Sequence, residues 1–130
     1  MKKLLLFIVV VIIYVDSPAQ KIDLVTNGQS AYSIVVPAKP TTMELKAAKV
    51  LQDYLRRITG KELPLRPDDQ PQQEQEILIG KVQRAVMQQL PVSELPEDGI
   101  WIKTAGKKLL ITGGTRKGVL YSVYTFLEKY

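Results

Sequence analysis

Leu109–Tyr130, LLITGGTRKGVLYSVYTFLEKY, decides how this chain of 130 residues is read. Leu109, Leu110, Ile111 and Thr112 have the apolar, β-branched character of a buried strand, and Gly113-Gly114 turns the chain into a helix running to Tyr130. In that helix Leu120, Val123, Tyr124 and Leu127 fall at i, i+3, i+4 and i+7 on one face. Val119, Val123, Phe126 and Tyr130 cover the adjoining side, so the apolar arc exceeds the roughly 100° that a surface helix needs. Only Ser122, Thr125, Glu128 and Lys129 are left for water. A helix so apolar is expected to pack on its own sheet and on a second body, with Val119, Tyr121, Phe126 and Tyr130 as the interface.

Working outward, Gly99–Thr104 alternates, with Ile100, Ile102 and Thr104 on one side and Trp101 and Lys103 on the other. Gly106-Lys107 joins it to Lys108–Thr112 as a hairpin. Upstream, EILIG (residues 76–80) reads as a short buried strand, and Lys81–Leu90 as a short helix stopped by Pro91. Pro67–Gln75, PDDQPQQEQ, is polar and Pro-punctuated and reads as a loop that does not order itself. Its acidic residues lack the spacing of a calcium loop. Leu63–Arg66 carries Pro64, which suits an edge strand.

The long helix before it opens at Thr41 or Thr42. Thr41-Thr42-Met43-Glu44 fits a capping box, and Gly60 supplies the left-handed stop. Ala47, Ala48, Leu51, Tyr54, Leu55 and Ile58 form its expected inner face. Lys49, Asp53 and Arg57, spaced by four, read as a solvated charge ladder. Ile22–Thr26 and Ala31–Val36 are expected to pair around Asn27-Gly28, the dipeptide suited to a two-residue hairpin turn. Together these elements predict an α/β (α+β) body of two layers, a mixed sheet of five to six strands with helices packed on it.

Residues 1–19 stand apart. Lys2-Lys3, the twelve-residue apolar run Leu4–Val15 and the small residues Ser17-Pro18-Ala19 have the form of a signal peptide cleaved after Ala19. The run is too short for the about 20 residues of a membrane span. The chain is thus expected in the periplasm or secreted, with membrane contact only through that segment and residues 20–130 forming a single domain.

Composition narrows the chemistry. The chain has no Cys and no His, which removes disulfides, thiolate nucleophiles and the commonest general base and zinc ligand. No metal and no cofactor is expected. Loss of Lys2, Lys3 and Asp16 leaves 16 basic and 12 acidic residues, a net charge of +4. That surplus is scattered, unlike the clustered stripe of nucleic-acid binders.

Gly113–Gly118 has the glycine spacing of a phosphate loop, but Val119 occupies the lysine position. Thr115 as a helix cap with Arg116 beside it is a candidate anion contact. The simpler reading makes Gly113 and Gly114 a sharp reversal and Gly118 a close-packing position. Glu97-Asp98 are adjacent in sequence and unsuited to face each other across a sugar. Trp101 is a candidate glycan contact, although the simpler reading makes it a half-buried residue of the sheet surface. No catalytic residue is assigned.

The order of elements resembles a known domain. ELKAAKVLQDYLRRITGKELPL, then EILIG, then DGIWIKTAGKKLLITGGTRKGVLYSVYTFLEKY is similar to the small α/β domain preceding the catalytic barrel in several secreted glycoside hydrolases, including α-glucuronidases and β-hexosaminidase-like families. The most specific part is Leu110–Leu127. The resemblance implies a non-catalytic accessory role in polysaccharide degradation. It also implies a partner, a TIM-type barrel in the same polypeptide whose loops carry the catalytic carboxylates. The alternative is a stand-alone secreted module binding a glycan, such as a polysaccharide, or a protein.

Overall fold

The computed structural model describes residues 22–91 and 94–129, so the proposed signal peptide and Tyr130 lie outside the described residues. Five strands and three helices follow in the order β1 (Ser33–Val36), α1 (Thr42–Thr59), β2 (Leu65–Pro67), β3 (Glu76–Ile79), α2 (Ala85–Gln88), β4 (Ile100–Ala105), β5 (Lys108–Gly113) and α3 (Gly118–Lys129). The strands form one mixed sheet in the order β2-β1-β3-β5-β4. β2, β1, β3 and β5 run parallel, and β4 closes one edge antiparallel to β5.

The fully buried runs of β1 and β3 match what parallel strands covered on both faces demand. Ile34, Val36, Ile77, Ile79, Leu109 and Ile111 point to the face carrying α1 and α3. Val35, Leu78 and Leu110 point the other way, under Val82 and Met87 of the α2 segment. Sheet and long helices make the two main layers, and the α2 segment roofs the back.

α1 starts and stops as its ends dictate. The Thr41 hydroxyl accepts from the Glu44 amide at 3.1 Å, the Glu44 carboxylate accepts from the Thr41 amide at 2.9 Å, and Gly60 takes φ 72° at the C-cap. Ala47, Ala48, Leu51 and Leu55 are buried, whereas Tyr54 and Ile58 are 40% and 59% exposed. The inner face is thus narrower than the pattern predicts. Asp53 pairs with Arg56 at 2.7 Å and Arg57 at 2.9 Å on the solvent side, contacts worth a few tenths of a kcal/mol each.

The first expected hairpin is corrected. Asn27 (φ 53°) and Gly28 (φ 70°) do form a tight turn, closed by Thr26 N to Gln29 O at 2.7 Å and Gln29 N to Thr26 O at 3.0 Å. Those two bonds make an isolated bridge, and no strand pairing follows from it. Both edges of β1 are taken by β2 and β3, so Ile22–Thr26 has no strand to pair with. Pro64 leads into β2 at the sheet's edge, as a residue without an N–H should.

The polar loop is also more ordered than its composition predicts. Asp68 accepts from the Ala38 amide at 2.9 Å and the Gln83 amide at 2.8 Å, and Arg84 donates to the Asp68 carbonyl at 2.8 Å. The same arginine limits α2 to one turn. Its backbone is extended (φ −127°, ψ 140°) while its guanidinium reaches the buried Glu76 carboxylate, so the helix begins only at Ala85.

α3 is turned relative to its predicted face. Ser122 is fully buried, and Tyr124 is 42% exposed. The Ser122 hydroxyl donates to the Thr112 carbonyl and accepts from the Trp101 amide, which seats α3 closely over the β4–β5 pair. Val119 and Phe126 belong to the domain's own core, not to a surface kept for a second body. Tyr121 alone of the described predicted interface residues is exposed, at 39%.

Candidate functional site

Open α/β sheets bind ligands at the carboxyl ends of their strands, where connections diverge to opposite sides. Here β1 leads through α1 to one side of the sheet, and β3 leads to the other. At that end lies a solvent-open cleft of about 670 Å³ between the starts of α1 and α3. Thr41, Thr42 and Met43 form one wall, and Asp98, Arg116 and Tyr121 stand among the residues opposite. The structure thus brings Thr115, Arg116 and Tyr121 together. Trp101 is elsewhere, half-buried on β4 opposite Thr112, with its indole Nε1 buried and without a partner among the described residues.

Beside the cleft, the two amides just before α3 and the third amide of α1 are engaged by the protein's own oxygens. At α3, Arg116 N donates to the Glu97 carbonyl at 3.0 Å and Lys117 N to the Asp98 carboxylate at 3.2 Å. The Arg116 side chain pairs with Glu97 at 3.3 Å in an exposed contact. Thr115 lies in the turn before α3; the first helical bond runs from Tyr121 N to the Lys117 carbonyl, which puts Lys117, not Thr115, at the cap. At α1, one oxygen of the buried Glu44 carboxylate closes the capping box, and the other accepts from Lys81 N at 2.8 Å, beyond β3.

Glu44 therefore anchors two segments. Thr41→Ala is expected to cost about 1 kcal/mol, the usual worth of a cap. Glu44→Ala should cost about twice that, because it leaves the Lys81 amide unsatisfied as well. Urea unfolding of the two variants measures the difference. The second role of Glu44 and the engagement of Asp98 were hidden in sequence, since each joins residues far apart in the chain.

The strongest electrostatic feature lies at the opposite end of the sheet. Glu76, fully buried at the start of β3, meets Arg84 Nη2 at 3.1 Å and Lys108 Nζ at 2.8 Å. Burial pushes its carboxyl up, but hydrogen bonds from Arg84, Lys108 and the backbone at Gln73 together hold it below its ordinary 4.5. It has no open space in front of it and acts as a clasp between β3, β5 and the α2 segment.

Glycosidic hydrolysis needs two carboxyl groups about 5–9 Å apart with room for a sugar between them. The carboxylates nearest the cleft, Glu44, Glu97 and Asp98, are each bound to a helix start or to Arg116. No group of three or more potential metal ligands occurs among the described residues. Among them, too, no helix is long and apolar enough to cross a membrane.

A comparison with protein families finds a match. The family model described as the glycosyl hydrolase family 67 N-terminus covers residues 18–126, from ahead of β1 into the last turns of α3. No curated protein matches the chain.

Proposed function

Because the chain belongs to the glycosyl hydrolase family 67 N-terminal family, we propose that it serves as the non-catalytic accessory domain of a secreted glycoside hydrolase, seated against a catalytic TIM-type barrel in the same polypeptide. The observation that carries this reading is the outer surface of the helix layer. Tyr54 and Ile58 on α1 and Tyr121 and Tyr124 on α3 are all more than a third exposed, although the stripes beside them are buried. Large apolar side chains exposed on two neighbouring helices of a small domain fit a surface that another body covers. The internal contacts that hold Glu44, Glu97 and Asp98 fit a supporting role, and the polysaccharide chemistry then belongs to the barrel.

The α1–α3 layer, in place of the Val119 and Phe126 side of α3, is the docking face in this proposal. Residues 20–130 in isolation are expected to bind an apolar dye and to self-associate. Tyr121→Ser with Tyr124→Ser should weaken that association about tenfold or more, as removal of aromatic anchors does, while leaving the unfolding midpoint nearly unchanged. An isolated domain that stays monomeric and dye-free would remove the basis for the docking face. Catalytic activity retained by the isolated domain on a uronic-acid-bearing polysaccharide would overturn the accessory role itself.

A further inference from the structure

We propose that Asn27 is a site of spontaneous covalent modification, losing its side-chain amide through attack by the backbone nitrogen of Gly28. Three observations carry this. Asn27 and Gly28 are both exposed, and nothing lies within 4 Å of where a Gly28 Cβ would stand, so water reaches the dipeptide freely. The Gly28 N–H donates to no group among the described residues, whereas its neighbour Gln29 N is bonded to Thr26 O. The turn also belongs to no sheet, being held only by the two reciprocal backbone bonds of the isolated Thr26–Gln29 bridge.

The reaction balances without a co-reactant other than water. The Gly28 nitrogen, its proton taken by hydroxide, attacks Cγ of Asn27. A bond forms between that nitrogen and Cγ, the bond from Cγ to Nδ2 breaks, and ammonia leaves a five-membered cyclic imide. Water then adds to either imide carbonyl and opens the ring to aspartate or isoaspartate at position 27. The fold resists only the first step, because ring closure needs rotation about the Asn27 Cα–C bond and so breaks the two bonds of the turn. Had Ile22–Thr26 been a strand of the sheet, that rotation would have required wider unfolding.

Isoaspartate inserts a methylene into the backbone and adds a carboxylate, so the Thr26–Gln29 pair cannot close as before. Ile22 and Leu24, which pack on the main core from this segment, then lose their tether. The modification is therefore an irreversible loosening of the sheet's approach to β1, independent of the accessory-domain reading.

The test is incubation of the folded full chain in mildly alkaline buffer, with the same chain unfolded in urea alongside, followed by intact mass and peptide mapping. Asn27 is the only asparagine in the sequence, so a gain of about one dalton located by fragmentation between Thr26 and Gly28 assigns it, and sets it apart from any change at Gln29. The folded chain is expected to convert within about a hundredfold of the unfolded rate, the factor two backbone hydrogen bonds can impose, and faster as pH rises. Asn27→Gln, which would need a larger ring, should lose the signal at least about tenfold. The proposal is overturned if position 27 stays intact through many half-lives of the unfolded chain. It is overturned equally if the mass gain maps only to glutamines or persists in Asn27→Gln.

Discussion

Glu76→Ala is expected to destabilise the domain by about 3–5 kcal/mol, the penalty for stripping the partner from buried charge. Arg84 is only 6% exposed and Lys108 only 12%, so neither cation can turn to water without moving its segment. The arginine also holds the Asp68 carbonyl and, through it, the polar loop. Chemical denaturation should show the loss, and limited proteolysis should place the first new cuts between Asp68 and Gln75. Replacing Glu76, Arg84 and Lys108 together with apolar residues of similar volume should return most of it, because no orphaned charge then remains. The pH dependence has a fixed sign. The Glu76 carboxyl titrates below its ordinary 4.5 when folded, so its contribution is complete above the unfolded value and disappears as pH falls through the folded one. Glu76→Gln should therefore flatten the acid side of the stability profile.

Gly114→Ala is the second severe change, with an expected cost of about 3 kcal/mol or more, at the upper end of overpacking effects. A Cβ at Gly114 would overlap the carbonyl oxygens of Pro96 and Glu97, and one at Gly118 would overlap the Gly99 carbonyl. These obstacles are backbone, held by Gly114 N to Gly99 O at 2.9 Å and Arg116 N to Glu97 O at 3.0 Å. No side chain can swing away to make room. Gly106→Ala is the contrast: its φ is 58°, but the surrounding space is open, so only the left-handed penalty of about 1–2 kcal/mol applies. Thermal unfolding of both variants separates crowding from backbone strain. A Gly114→Ala protein as stable as Gly106→Ala would refute the close approach between α3 and the loop before β4.

Many local signals were legible in the sequence, although the Asn27-Gly28 hairpin and the full Lys81–Leu90 helix were not borne out. Thr41 with Glu44, Gly60, the Gly106-Lys107 hairpin and the Gly113–Gly118 reversal all act within a few residues, and each appears where the pattern puts it. Parallel pairing is different in kind. β1 lies between β2 and β3, whose residues follow it only after a helix or a long loop, and no periodicity in Ser33–Val36 names those partners. The same limit explains α3. Its pattern is apolar on several sides, and only the seat over β4 and β5 selects Ser122 for the interior and Tyr124 for the surface. Of the candidate contacts, the cleft collects Thr115, Arg116 and Tyr121 because both helix starts lie at one end of a parallel sheet. Asp98 completes that end through a bond across the hairpin that no local spacing announces.

The strand order also governs what a growing chain exposes. β3 lies between β1 and β5, so once Glu76–Ile79 has been made, one edge of it stays open until Lys108–Gly113 follows. During that interval any pairing of β2, β1 and β3 leaves an open edge on which Glu76 is the one charged residue and Ile77, Leu78 and Ile79 are apolar. A polypeptide halted there presents to its neighbours the edge that β5 would fill, and two such chains can satisfy one another instead. Variants that slow the β4–β5 turn are therefore expected to lose soluble yield to aggregation before they lose stability.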